Sequence, residues 1–345
     1  MSGGFADILE TLGRKERGKL ESKIPAWAGV EIKVPSSLNF QQCSGQSAAL
    51  YKASLVSEGC RVADLTGGLG VDSWAFSSRA AALWYNERDE ALRSAVEGNF
   101  ARLGVKNVVF NSYEIDPASG CWREALRAFG PDVVYLDPAR RSAEGRKVFL
   151  LEECSPDVLS LMPMLLDIAP RVIVKVSPMA DLTMLSRRLS GVLEALHVVG
   201  AEGECKEILC ICSGSAAYSG VVLAEDGFVY APVDAEPGRL LFVPSAAMTK
   251  SGLGPGVCLI EYTEGLMHFG KYWQVLENLP FASSVMKTLA RRYPQGDVSS
   301  KGLPIGSEDL RKKLKVKPGG ALQIFACILE GERRLLVCKP LGSGN

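Results

Sequence analysis

The 345-residue chain predicts an α/β domain built on a mostly parallel sheet, followed by a smaller α+β region. Three observations carry that prediction. Short apolar runs alternate with helix-length amphipathic stretches from about residue 46 to residue 213. Three glycines, Gly67, Gly68 and Gly70, follow the first of these runs, where a strand would turn into a helix. The last two runs, "EALHVVG" and "KEILCIC", are separated only by the charged "AEGECK". That spacing leaves no room for a crossover helix and requires a hairpin.

Taken in order, Phe5 to Lys23 reads as a charged helix that Pro25 and Pro35 break, with Trp27 anchoring the connector. A helix over "SAALYKASL" precedes the strand "RVADL" and a helix opening near Val71. "AALWYNE", "KNVVFNS" and "DVVYLD" read as strands, separated by the helices "EALRSAVEGNFARLG" and "GCWREALRAFG". After an arginine-bearing loop come the helix "SPDVLSLMPMLLDIA", the strand "RVIVKVS", the long helix "ADLTMLSRRLSGV" and the hairpin. Beyond Ser213 the pattern changes. "GVVLAEDGFVYAPV" and "RLLFVPSAAMTKSG" read as strand pieces, "VMKTLARRY" and "SEDLRKKLKV" as helices, and "GGALQIFACILEGERRLLVCKP" as a hairpin around Glu330-Gly331. The expected division is a helical segment 1–40, an α/β domain 41–215, and two small modules, 216–270 and 271–345.

Composition narrows the function classes. A hydrophobic fraction of 47% and a charged fraction of 23% fit a globular protein with a sizeable core. Only two histidines, His197 and His268, weigh against a histidine-rich metal site and against a Ser-His-Asp hydrolase, so no metal is expected. His197 lies in an apolar strand and reads as a core residue. The 10 cysteines form no C-x-x-C pair, and Cys210 and Cys212 share one strand face as buried thiols. No apolar run reaches the roughly 20 residues of a membrane span, and the first residues carry no secretory core, so a soluble, cytoplasmic protein is expected.

Two loops carry the chemistry. "ADLTGGLGVDS" places glycines beside a helix N-terminus, where backbone can approach a ligand closely. The order is not the G-x-G-x-x-G of a dinucleotide site. "DVVYLDPARR" ends an apolar strand on Asp137, with Pro138 removing a backbone donor and Arg140 and Arg141 following. A carboxylate and nearby carbonyls can hold an amino group by its hydrogens, while guanidinium groups suit a phosphate or carboxylate. The bland alternative is an Asp-Pro turn with solvated arginines.

A parallel sheet finished by an antiparallel hairpin resembles the Class I methyltransferases over about Gln41 to Ser213, and "ADLTGGLGVDS" resembles their motif I. The resemblance implies a Rossmann-like seven-stranded sheet with its last strand antiparallel. It also implies S-adenosylmethionine (SAM) as cofactor. Asp64, Thr66, Gly67, Gly68 and Gly70 would hold it, Glu87 would accept the ribose hydroxyls, and adenine contacts would come from among Asn111, Ser112 and Tyr113. Asp137 would then face the methyl group, with Pro138 and Arg140 beside it as catalytic candidates. An exocyclic base nitrogen such as guanine N2 suits that arrangement, because hydrogen bonds to its hydrogens raise its electron density and aim it.

"DPAR" also resembles the fourth motif of RNA 5-methyluridine methyltransferases, whose later strand ends V-S-C-N-P. Here that strand ends Val176-Ser177-Pro178, without the cysteine nucleophile. Cys154 is a weak substitute, since "SPD" after it reads as a helix start. "QCSGQSAALYKASL", "VADLTGGLGVDS", "LDPARR", "VIVKVSPMAD" and "ECKEIL" together resemble the THUMP-like-domain methyltransferases of the Bacteroidetes type, a family assigned to RNA methylation. "FVPSAAMTKSG" and "DLRKKLKVKPGGALQIFACI" resemble that family's ferredoxin-like insert and THUMP-like domain.

Net charge is zero, yet Lys287 to Lys317 holds nine basic residues against three acidic ones. Arg311, Lys312 and Lys313 are candidate phosphate contacts, with Arg141 as a further RNA contact. Gly319-Gly320 offers a backbone approach, and a solvated helix face is the bland alternative. The leading expectation is a SAM-dependent methyltransferase acting on structured RNA (tRNA or rRNA). The competing readings are a protein or small-molecule methyltransferase and a catalytically idle RNA-binding module that retains SAM affinity.

Overall fold

A computed structural model describes residues 17–140, 151 and 154–341. The chain divides into two compact units, with the boundary between Gly227 and Phe228.

The first unit is a doubly wound sheet. Its strands are β1 (Arg61–Asp64), β2 (Ala82–Asn86), β3 (Val108–Asn111), β4 (Val133–Leu136), β5 (Arg171–Val176), β6 (Leu193–Ala201), β7 (Glu204–Ser213) and β8 (Val221–Glu225). Their order is β8-β6-β7-β5-β4-β1-β2-β3. β7 runs antiparallel to both β5 and β6, as the hairpin argument requires. The seven expected strands are present, and an eighth extends the sheet. β8 pairs in parallel with β6, so residues that the sequence pattern places in the next module join this sheet.

Residues 17–23 are helical, and the helices that follow are α1 (Ser37–Gln42), α2 (Gln46–Ser54), α3 (Val71–Ser77), α4 (Glu90–Arg102), α5 (Cys121–Phe129), α6 (Val158–Ile168) and α7 (Leu182–Arg188). Their starts follow local chemistry. Asp89, Asp157 and Asp181 each accept a backbone N–H from the first turn of α4, α6 and α7. α5 ends on Gly130 in the left-handed region, φ 63°. α7 spans only seven residues, shorter than the sequence suggests.

Alternation along the strands builds two cores. Val133 and Tyr135 of β4 face one, with Phe76 and Phe100; Val134 and Leu136 face the other, with Trp122 and Leu165. Residues before the sheet join the first core. Trp27 is buried and meets Trp74 edge-on at 5.9 Å, so the connector is anchored as expected. Asn99 of α4 exchanges two 2.8 Å hydrogen bonds with the Lys33 backbone, which pins the same segment.

The second unit contains β9 (Pro237–Pro244), α8 (Ala246–Ser251), β10 (Cys258–Ile260), β11 (Gly270–Pro280), α9 (Ser283–Arg292), β12 (Asp297–Ser300), α10 (Ser307–Leu314), β13 (Gln323–Leu329) and β14 (Glu332–Pro340). One six-stranded sheet, ordered β10-β9-β11-β14-β13-β12, joins them. The modules expected at 216–270 and 271–345 therefore share a sheet, through the pairing of β9 with β11. β11 has no counterpart among the expected strands, and α8 occupies part of a stretch that reads as strand. Ser245 caps α8 by accepting the Met248 N–H, which turns the chain out of β9. The β13–β14 hairpin turns at Glu330-Gly331, both at positive φ, as expected.

Among the described residues no helix is long and apolar enough to cross a membrane.

Candidate active site

A cleft of about 340 Å³ opens at the carboxyl ends of β1, β2 and β4. This is where ligands sit in open parallel sheets. Its walls bring together Thr66, Gly67, Gly68, Gly70, Glu87, Tyr113 and Asp137, all nominated from the sequence.

The glycine loop is shaped by its neighbours on β2. A Cβ at Gly67 would lie 2.1 Å from Cε2 of Tyr85, whose ring is fully buried. Gly70 has φ 81°, and a Cβ there would meet Val96 and Phe100 at 2.8 and 2.9 Å. Tyr85 Oη donates to the Gly68 carbonyl at 2.5 Å, and the Gly68 N–H donates to Glu87 Oε2 at 3.0 Å. The close approach of loop and strand leaves room for backbone only.

Asp64 does not line the cleft. It is buried beneath the loop, where Oδ1 accepts the Thr66 N–H at 3.0 Å and Oδ2 accepts the Ser73 hydroxyl at 2.6 Å. Burial pushes its carboxyl up to about 7, only partly opposed by the Ser73 hydrogen bond. Asp64 thus braces the loop.

Of the three residues nominated after β3, only Tyr113 reaches the cleft. Asn111 turns its amide to the Tyr85 and Val109 carbonyls, and the Ser112 hydroxyl is buried. Tyr113 stacks on Trp84 at 6.0 Å, and its N–H donates to Asn86 Oδ1 at 2.8 Å. Asn86, which no sequence motif singles out, also donates to the Leu65 and Tyr113 carbonyls and lines the cleft. It ties the loops after β1 and β3 together.

Asp137 stands at the cleft with its backbone N–H donating to Thr66 Oγ1 at 2.6 Å. Pro138 is absent from the cleft wall, and Ala139 takes that place. Arg140 pairs in a two-residue antiparallel ladder with Cys154. Arg141 lies outside the described residues. Cys154 is buried and does not line the cleft, and Asp157 starts α6 just after it. His197 Nδ1 shares a 2.7 Å hydrogen bond with the Tyr51 hydroxyl, and burial lowers its pKa to about 4, so it is a neutral core residue.

A buried ion network lies behind Asp137. Lys175 Nζ donates to Asp137 Oδ2 at 2.5 Å and lies 3.9 Å from Glu207 Oε2. Glu207 Oε1 accepts from Lys52 Nζ at 2.5 Å, and Lys52, fully buried, lies 3.0 Å from Asp72 Oδ1. The hydroxyls of Ser44 and Tyr135 donate to Asp72 Oδ2 at 3.0 and 2.7 Å. Burial alone would lower Lys175, but Asp137, Glu207 and Asp72 outweigh it and hold the ammonium well above its ordinary value. Burial likewise would raise Asp72, yet Lys52 and Lys175 hold it below the usual carboxylate range. Two ammonium groups and three carboxylates thus alternate through the interior, each facing a partner of opposite sign. A lysine inside "VIVKV" and another inside "SAALYKASL" are the available signals, and both sit in segments that carry the family resemblance.

In the second unit, α10 packs through Leu310 and Leu314 and exposes Lys312 and Lys313. Arg311 is different. It forms hydrogen bonds to Glu308 at 2.6 and 3.0 Å and reaches the Val316 carbonyl at 3.3 Å. The Gly319 N–H is taken by Asp297 Oδ1 at 2.8 Å.

The model of the family described as "THUMP domain-like" matches residues 270–340. A crystal structure of a "putative methyltransferase" from Porphyromonas gingivalis W83 superposes with TM-score 0.79 at 27% identity, covering 95% of this chain and 88% of that one. A "putative RNA methyltransferase" from Pyrococcus horikoshii gives TM-score 0.38 at 16% identity, covering 58% of this chain and 99% of that one. No curated protein sequence matches the chain. The chain therefore joins a Class I methyltransferase fold to a THUMP-like domain, the architecture of the THUMP-like-domain methyltransferases.

Proposed function

We propose that the protein is a SAM-dependent methyltransferase that modifies a base amino nitrogen, guanine N2 being the type, in structured RNA such as tRNA or rRNA. One observation carries the reading: the glycine loop and the Asp137 carboxylate open into the same cleft, tied by the Thr66 hydrogen bond. The likeness to the Porphyromonas protein supports methyl transfer, and the THUMP-like segment supports RNA as substrate.

The residues fit the cofactor. Gly67 and Gly68 present backbone to the cleft, which admits a ligand against it, and Glu87 stands at the end of β2 where a carboxylate can accept ribose hydroxyls. Tyr113 lines the cleft after β3, where the adenine end would lie. SAM held there would supply the methyl group, and the acceptor nitrogen would shed one proton. Asp137 holds an acceptor N–H by its carboxylate before transfer and accepts that proton afterwards.

Tritium transfer from labelled SAM to total RNA from cells lacking the protein, followed by nucleoside mass spectrometry, tests this. A methylated guanosine, restored by the purified protein, is expected. Label appearing in protein or small molecules, and none in RNA, would replace the RNA reading.

A further inference from the structure

We propose that Lys175, braced by Glu207 and Lys52, is a positioning residue that fixes the Asp137 carboxylate so that Oδ1 is presented to the acceptor N–H. The inference rests on the proposed methyl transfer and assigns the groups behind it.

The geometry supplies the argument. Lys175 takes Oδ2 of Asp137 at 2.5 Å, while the Thr66 hydroxyl holds the Asp137 backbone N–H at 2.6 Å. Asp137 is therefore held at both ends, through its main chain and through one carboxylate oxygen. Lys175 cannot follow the carboxylate into the cleft, because its side chain is only 14% exposed and Glu207 stands 3.9 Å behind it. Glu207 is held in turn by Lys52, and Lys52 by Asp72. Lys52, Glu207 and Asp72 are buried and Lys175 is nearly so, and a charge in such a place is costly without a partner of opposite sign. A network of this cost beneath a cleft-lining carboxylate needs a reason, since apolar side chains would fill the same interior without it.

The chemistry gives one. A base amino group is nearly non-basic, so it reaches an electrophile only when its hydrogens are held in one orientation. Once methylated, the nitrogen is cationic and a far stronger acid than a carboxylic acid. A carboxylate paired with an ammonium is a weak base, but it suffices to take that proton onto Oδ1. The proton then leaves to solvent through the open cleft, and the ammonium stays protonated throughout.

The charged and titratable groups around Asp137 are Lys175, Glu207, Asp72, Asp64 and Tyr135. Lys175 is the cation in direct contact. Its removal frees Oδ2, and with it the orientation of the carboxylate.

The test compares wild type with Lys175→Met and with the double variant Lys175→Met/Glu207→Gln, which removes one charge of each sign if the single variant fails to fold. With total RNA and labelled SAM, kcat should fall on the order of 100-fold, while the Kd for SAM stays within about threefold. That split between turnover and cofactor affinity is one that a merely structural role does not produce. A lysine variant with wild-type kcat, or a loss of SAM affinity as large as the loss of kcat, overturns the inference. A wild type that binds SAM but methylates no RNA overturns the proposed function instead.

Discussion

The Asp137 N–H donates to the Thr66 hydroxyl at 2.6 Å, which joins the loop after β4 to the glycine loop after β1. Two loops that the sequence nominates separately are thus one unit, and cofactor and acceptor are expected to be registered against each other through it. Thr66→Val removes the acceptor and leaves a half-buried N–H unpaired, at a cost of about 1–3 kcal/mol. Transfer should fall roughly tenfold. Asp137→Ala should be more severe, on the order of 100-fold or more in kcat, with SAM affinity nearly intact. Single-turnover kinetics beside calorimetry separates the two effects, and an Asp137→Ala protein with normal turnover would reduce that residue to a turn former.

SAM should bind at micromolar strength, and Gly67→Ala should abolish measurable binding. The added methyl would overlap the Tyr85 ring, which Phe100 and Phe110 hold at 6.1 and 5.3 Å. The loop must move because the ring cannot. Calorimetry with SAM, with NAD as the control ligand, reads this directly. Heat from NAD and none from SAM would point to a different cofactor.

Stability should depend on pH through Asp64. Burial raises its carboxyl from 3.8 to about 7, so the folded state holds a proton that the unfolded state releases. The stability that this proton confers is complete below about pH 4 and is lost as pH rises through about 7. Asp64→Asn carries no such titration. Its Tm relative to wild type should therefore improve by several degrees between pH 5 and pH 8. Parallel Tm curves would mean that Asp64 is ionised throughout.

How far the sequence reaches can be judged from particular residues. Asp64, Glu87 and Asp137 are legible because each ends an apolar run, and a parallel sheet sends strand ends to one edge. Asp64 nevertheless faces inward, since Ser73 one turn into α3 captures it. Lys52 and Glu207 are 155 residues apart in sequence yet bonded, and no spacing rule pairs two charges embedded in separate apolar segments. β8 reads as part of the wrong module because a five-residue strand carries no label of the sheet it will join. β11 escapes detection because its less exposed side chains after Tyr272 are only partly buried and include Glu277, while Leu276 is exposed, which blurs the alternation.

No covalent protein–RNA adduct should form with 5-fluorouridine RNA. β5 is followed by Ser177-Pro178, and the buried Cys154 does not line the cleft. A denaturing gel decides the matter, and a shifted band would restore carbon methylation as the chemistry.

The basic face of α10 yields a prediction that the structure sharpens. The sequence nominates Arg311, Lys312 and Lys313 together, but Arg311 is bound to Glu308 and to the Val316 carbonyl. Arg311→Glu should therefore lower stability, by placing a carboxylate beside Glu308 and freeing the end of the helix. Lys312 and Lys313 are exposed, and Lys312 has an acidic neighbour in Glu308 at a loose 3.9 Å. If these lysines meet phosphates, Lys312→Glu/Lys313→Glu should weaken binding of bulk tRNA at low salt. It should also flatten the log-log salt dependence by about one for each phosphate no longer neutralised. SAM affinity and Tm should stay near wild type, because neither side chain packs in a core. A solvated helix face predicts identical salt slopes for the two proteins. Fluorescence anisotropy with labelled tRNA across a salt series measures the difference, and superimposable slopes would move the search for the RNA contact to another surface of the second unit.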